Sequence, residues 1–277
     1  MRAAGIDIGS RTIKLVTMEE GEVITSSIAD TTHDPLDQCQ KLMAQTSFDR
    51  ILATGYGRHL FETQFNVFTV TEIKAFARGA KEIFPGCRTI LDIGGQDTKA
   101  IALDERGNVS KFEMNDRCAA GTGMFLEVIA KTLGFDLEDF GKEALKAEGN
   151  IQINSMCTVF AQSEVTSLLA RRQRREDIAR GIHMAILNRT LSLLKRVSTE
   201  PDIVFAGGVA KSPCLKYLVG EALGCEVKVP ENPQMVGAFG AAIIAQDMKK
   251  TRGEYPDNIN KTFQAPSSGD AHYDSTE

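Results

Sequence analysis

Two cysteines stand where chemistry is possible. Cys118 precedes the small-residue run Ala119–Gly123; an apolar pattern at Phe125, Leu126, Ile129 and Leu133 follows, and Gly134 closes it. Cys157, in Asn154-Ser155-Met156-Cys157-Thr158, precedes Ala161, Val165, Leu168 and Leu169, again spaced for one helix face. Each cysteine is therefore expected at or near a helix N-terminus, where unpaired N–H groups and a partial positive charge favour a thiolate. Two thiolates are too few for a metal cluster unless a second chain brings two more. Buried thiols, a disulfide, or a one-chain ligand set recruiting Cys214 and Cys225 are the other readings. Cys39, Cys87, Cys214 and Cys225 otherwise read as packing residues, and the four histidines form no ligand pattern.

A second kind of chemistry is written in three glycine turns. Asp7-Ile8-Gly9-Ser10-Arg11-Thr12 offers backbone N–H groups and two hydroxyls, with Lys14 close by. Glycine lets the backbone approach a phosphate, and an aspartate at a strand end suits Mg²⁺. Asp92–Lys99 repeats the device, with Gln96 and Asp97 placed to orient a water on a terminal phosphate. Ala206-Gly207-Gly208-Val209 is a third close-approach turn, suited to an adenosine. Neither a P-loop nor a dinucleotide-binding glycine motif is present. Lys14 and Lys99 read equally well as surface lysines on strand edges.

The elements that must position these turns form a repeat. Strand 3–8, a turn, strand Ile13–Met18, the hairpin Glu19-Glu20-Gly21 and strand Glu22–Ile28 make the first copy. Ile90–Asp92, a turn, Ala100–Leu103 and Val109–Met114 make the second. Superposing Asp7 on Asp92 also superposes Gly9 on Gly94 and Lys14 on Lys99. Helices are expected at 34–45, 72–84 (cap Thr71, stop Pro85-Gly86), 137–146, 177–197, from Ser212-Pro213 to Gly224, and at 235–250. Strands are expected at 50–54, 203–205 and 226–229. The order implies an α/β protein with two similar domains, 1–87 and 88–234, around a cleft, the last helix returning to the first domain. The polar segment 251–277 buries little and is expected to be mobile.

Composition limits the partners. The chain has 277 residues, 42% hydrophobic and 25% charged, with a net charge of −5, so nothing invites nucleic acid. No apolar run reaches the roughly 20 residues that span a bilayer. The N-terminus meets Asp7 too early for a signal peptide, so a cytoplasmic location and free thiols are expected. The run Arg171–Arg175 reads as a solvated turn or a contact for an acidic redox partner.

The turns together resemble the actin, sugar kinase and Hsp70 ATPase superfamily, whose duplicated RNase H-like domains close on ATP. Asp92–Lys99 (DIGGQDTK), Phe112–Glu127 (FEMNDRCAAGTGMFLE) and Ser155–Val165 (SMCTVFAQSEV) narrow it. They resemble the activator ATPases of 2-hydroxyacyl-CoA dehydratases, with the ATPase subunits of benzoyl-CoA reductase and the reductases of double-cubane-cluster proteins close by. The resemblance runs from about Ala3 to Ala245 and includes Thr54–Arg58 and Pro233–Ala238. It implies a homodimer sharing one 4Fe–4S cluster, with Cys118 and Cys157 as each chain's ligands. It implies ATP-driven electron transfer from ferredoxin or flavodoxin to a client iron–sulfur enzyme: a dehydratase, an aryl-CoA reductase or a double-cubane-cluster protein. Asp7 and Asp97 are then expected to serve Mg²⁺ and Gln96 the attacking water. Ser10, Arg11, Thr12, Ile13, Lys14, Gly94, Gly95, Gln96, Asp97, Gly207, Gly208 and Gln234 are expected to line ATP or ADP. A small-molecule kinase or a non-catalytic nucleotide sensor of the same superfold are the competing expectations.

Overall fold

The computed structural model describes residues 1–153 and 157–248. The expectations for the 251–277 segment, the last residues of the final helix and Asn154–Met156 lie outside them. Strands β1 (Arg2–Ile8), β2 (Thr12–Glu19) and β3 (Glu22–Asp30) lead through helix α1 (Pro35–Met43) to β4 (Arg50–Thr54). Helices α2 (Arg58–Phe65) and α3 (Glu72–Ile83) follow. The second half runs β5 (Thr89–Ile93), β6 (Thr98–Leu103), β7 (Val109–Asn115), α4 (Gly123–Leu133), α5 (Leu137–Leu145), α6 (Thr158–Ala170) and α7 (Arg175–Val197). It ends with β8 (Ile203–Ala206), a short 3₁₀ turn Gly208–Lys211, α8 (Pro213–Leu223), β9 (Val227–Lys228) and α9 (Val236–Asp247).

The two sheets are ordered β3-β2-β1-β4 and β7-β6-β5-β8-β9. In each, the first strand pairs antiparallel with the second and parallel with the fourth. The registers match: Asp7 faces Lys14 as Asp92 faces Lys99, and both second-to-third strand pairs carry an irregularity further on, at Thr17/Met18 and Ala102/Leu103. The sequence repeat is thus a structural duplication. β1 and β5 are almost wholly buried and near-continuously apolar, as central strands covered on both faces must be.

Capping sets the helix limits. The Asp34, Thr71 and Ser212 side chains accept from the N–H of Asp37, Lys74 and Leu215, and Gly134 and Gly224 close α4 and α8 in left-handed conformation. Helix α2 carries little signal in the sequence: its buried face is only Phe61 and Phe65, and no side chain caps it.

Helix α9 lies on β1, β2, β4 and α3, returning the chain to the first sheet. Its contact with α3 is backbone to backbone. A Cβ on Gly240 would stand 1.8 Å from the Ala75 carbonyl oxygen, and one on Gly79 would stand 2.3 Å from that of Val236. Both helices must part if either glycine gains a side chain, and α3 carries Glu72 to the cleft between the sheets. Gly240→Ala is expected to cost about 2 kcal/mol of unfolding free energy. A urea midpoint equal to the parent's would show that the α3–α9 contact yields without cost.

Candidate functional site

The site lies between the two sheets, where the turns after β1, β5 and β8 converge on a cleft of about 1050 Å³. Each sheet contributes the same device. Gly9 N–H donates to the Thr12 carbonyl at 3.1 Å, and Gly94 N–H to that of Asp97 at 2.9 Å. Lys14 Nζ lies 3.2 Å from Asp7 Oδ2, and Lys99 Nζ lies 3.0 Å from Asp92 Oδ2. Over each aspartate sits a glycine of positive φ. A Cβ on Gly55 would meet Asp7 Oδ1 at 2.5 Å, and one on Gly207 would meet Asp92 Oδ1 at 2.4 Å. Only glycine lets the chain cross so close to the carboxylates.

The second copy is more elaborate than the first. Lys99, 2% exposed, also binds Glu72 at 2.8 Å and Asp97 at 2.5 Å. It is therefore no surface lysine. Burial would lower its pKa, but the three carboxylates outweigh burial and hold it well above the usual lysine value. Burial pushes the Asp92 carboxyl up to about 6, against the pull of Lys99 and with the push of Asp97. Asp92 Oδ1 is buried and has no hydrogen-bond partner among the described residues. That orphaned oxygen beside the cleft fits a bound cation's water better than any neighbour the chain supplies.

Ser10, Arg11, Thr12, Lys14, Gly94, Gly95, Gln96, Asp97, Gly207, Gly208 and Gln234 all line the cleft, as does Asp7. Ile13 does not. The alternation of β2 that turns Thr12 and Lys14 to the cleft sends Ile13 into the core with Ile6, Ile8 and Phe61. Of the carboxylates that line the cleft beyond the residues expected there, Asp92 and Glu72 are the two that bind Lys99. Asp92 is visible in the sequence as the repeat partner of Asp7; Glu72 reaches the site only through tertiary packing. Behind Ser212, which lines the cleft, the neutral ring of buried His183 donates from Nδ1 to Ala179 O at 2.7 Å and accepts at Nε2 from Ser212 Oγ at 3.2 Å. Burial lowers its pKa to about 4.

The cysteines divide by environment. Cys39, Cys87 and Cys214 are buried, and burial pushes their thiols up to about 12, 12 and 11, which suits packing and not ligation. Cys157 is exposed at the N-cap of α6, beside Val159 and Phe160, which are 67% and 68% exposed. Cys118 does not open its helix. It sits in the loop between β7 and α4, five residues ahead of Gly123. That loop is tied at every carbonyl from Cys118 to Gly121, by Asn115 Nδ2, Thr122 Oγ1, Arg189 Nη1 and Thr98 Oγ1. Its far end joins the turn after β5: Gly123 and Met124 N–H donate to the Gly94 and Gly95 carbonyls at 2.8 and 2.9 Å. No single group of three or more His, Cys, Asp or Glu among the described residues could hold a metal. Three described thiols are not buried, Cys118, Cys157 and Cys225; the two in the quoted cysteine motifs, Cys118 and Cys157, would make half of a four-cysteine site.

The Asp92 environment makes a pH test possible. Its folded pKa lies above the ordinary 3.8, so the folded state holds its proton more tightly than the unfolded chain does. Stability is then greatest at acid pH and is lost as pH rises through about 6. Asp92→Asn removes the buried charge and leaves Lys99 paired with Glu72 and Asp97. Without nucleotide, the variant is expected to melt a few degrees above the parent at pH 8, and the gain should shrink as pH falls from 7 to 4. A lower melting temperature at pH 8 would mean that Lys99 depends on Asp92 more than Asp92 suffers from burial.

Known proteins resemble this chain over most of its length. The chain is 38% identical over 268 residues to a 2-hydroxyisocaproyl-CoA dehydratase activator of Clostridioides difficile, covering 94% of this chain and 100% of that one. It is 36% identical over 250 residues to the (R)-2-hydroxyglutaryl-CoA dehydratase activating ATPase of Acidaminococcus fermentans, covering 87% and 95%. It is also 30% identical over 262 residues to a component of the benzoyl-CoA reductase of Thauera aromatica, covering 87% and 91%. The solved structure of the activator of the 2-hydroxyisocaproyl-CoA dehydratase from Clostridium difficile with bound ADPNP superposes with a TM-score of 0.82 at 36% identity, covering 91% and 99%. The family model of these ATPases matches residues 4–245, and the chain belongs to the BadF/BadG/BcrA/BcrD ATPase family.

Proposed function

We propose that this ATPase activates a client iron–sulfur enzyme, a 2-hydroxyacyl-CoA dehydratase or a related reductase, by delivering electrons at the expense of ATP. The donor is a ferredoxin or flavodoxin, and the working form is a homodimer. The observation that carries the reading is the tied loop. Cys118 stands on a segment hydrogen-bonded to the phosphate turn, so the state of the nucleotide and the position of the thiol are mechanically linked. A kinase has no use for that link.

At the cleft, ATP phosphates meet the N–H groups of the two turns, and Gly207-Gly208 with Gln234 flank the adenosine. Asp7 and Asp92 are the carboxylates aimed between the turns and are the residues to hold Mg²⁺ or its waters. Asp97 is the second Mg²⁺ residue expected from the sequence; its Oδ2 is engaged by Lys99 at 2.5 Å, so it serves more to fix that ammonium. Gln96, exposed and lining the cleft, orients the attacking water. Cys118 and Cys157 from each of two chains supply four thiolates, and a 4Fe–4S cluster held there supplies a one-electron carrier. The exposed Val159 and Phe160 beside Cys157 give the second copy an apolar surface to cover.

Anaerobic purification with iron and sulfide counts and native mass tests the reading. About two irons per chain in a dimer are expected, and Cys118→Ala and Cys157→Ala should each lose them while binding ADP as before. Stoichiometric iron retained by either variant would sink the ligand assignment. Separately, Gln96→Ala should slow ATP turnover on the order of 100-fold with ADP affinity unchanged; parental turnover would remove Gln96 from the hydrolytic step.

A further inference from the structure

Helix α7 is not part of either phosphate turn, yet one of its side chains reaches the cysteine loop. Arg189 Nη1 lies 3.4 Å from Cys118 Sγ and 3.0 Å from the Ala120 carbonyl oxygen. Its aliphatic stem passes over Gly121, where a Cβ would stand 3.4 Å from Arg189 Cδ. Gly121 has φ +115, so it is the turn that favours glycine there. The helix that carries Arg189 is anchored by Ile186, Leu187, Leu193 and Leu194 in the core, which gives the guanidinium a fixed origin.

We propose that Arg189 is a positioning residue for electron transfer: it donates an N–H···S hydrogen bond to Cys118 and sets the reduction potential of the group that this thiolate holds. The proposal rests on Cys118 being a cluster ligand. Its physics is charge. One-electron reduction adds a negative charge to an already anionic cluster, and hydrogen bonds to ligand sulfurs favour the reduced form. A guanidinium keeps its positive charge across the working pH range and has further N–H groups for the Ala120 carbonyl. The same side chain therefore fixes the loop and biases the potential upward, so that the donor can load the electron. A residue that only propped the loop would need the carbonyl contact and not the sulfur contact.

The test compares full-length parent, Arg189→Gln, Arg189→Lys and Cys118→Ala, all purified and reconstituted without oxygen. Iron content, ADP affinity and the midpoint potential from an EPR-monitored redox titration are measured. Arg189→Gln removes the charge, and Arg189→Lys keeps it on a shorter arm without the fork. Both midpoints are expected to shift negative of the parent's, the glutamine variant further, with ADP affinity unchanged. A parental midpoint in whichever variant holds iron overturns the proposal. So does loss of iron from both variants with ADP affinity intact, which marks Arg189 as a structural prop only. Full iron in Cys118→Ala overturns the underlying ligand assignment instead, and the two failures are thereby told apart.

Discussion

The link between the turn after β5 and the cysteine loop depends on two backbone hydrogen bonds, from Gly123 and Met124 N–H to the carbonyls of Gly94 and Gly95. A helix N-terminus leaves its first N–H groups unpaired, and here no side chain at Thr122 caps them. The second phosphate turn does so instead. The positive end of the α4 dipole therefore points at that turn. Phe125, Leu126, Ile129 and Leu133 bury the other side of α4 in the main core, so the helix responds as one body. The first domain also grips it: Arg11 on the first phosphate turn places Nη2 2.6 Å from both Glu127 carboxylate oxygens. That pair is half exposed and worth about 0–1 kcal/mol. It can open without unfolding anything, whereas the two backbone bonds cannot be given up so cheaply.

The duplication explains how such a cleft arises and where it departs from symmetry. Both halves set an aspartate at the end of the central strand, a lysine across from it, and a positive-φ glycine above it. Where the first turn has Thr12, the second has Asp97, and α3 adds Glu72 from outside the sheet. One ammonium thus serves three carboxylates in the second half and one in the first. The extra negative charge adds to burial in raising the Asp92 carboxyl, and the closed pairing leaves its Oδ1 as the acceptor still to be satisfied.

Much of this is legible in the residues. The alternation of β2 and the long apolar runs of β1 and β5, punctuated by Asp-x-Gly turns, define the repeat because strand and turn signals are local. The caps at Thr71, Ser212 and Gly224 are local as well. What the residues do not reveal is set by distance in sequence. Glu72 meets Lys99, and Arg189 meets Cys118, only after two separate elements pack. That Cys118 lies near α4 but five residues ahead of its first residue has a related reason. Ala119-Ala120-Gly121-Thr122-Gly123 brings no capping hydrogen bond of its own, Gly121 needs a left-handed backbone, and the turn that substitutes for the cap lies far upstream, after β5. The expectation for Ile13 fails because a turn motif is not a contiguous lining: strand geometry sends alternate residues to opposite faces.

The displacement of Cys118 from helix to loop changes what the thiol can sense. On the first turn of α4 it would move rigidly with that helix. In the loop its position is fixed by several elements at once: β7 through Asn115, β6 through Thr98, α7 through Arg189, and α4 through Thr122. The sulfur's place therefore depends on how α4, hydrogen-bonded to the turn after β5, sits relative to α7, which packs in the same core. A shift of the turn that carries α4 along but leaves α7 in place must alter the Arg189 to Cys118 contact. A residue on the loop responds to that relative movement, and a residue on either helix alone would not.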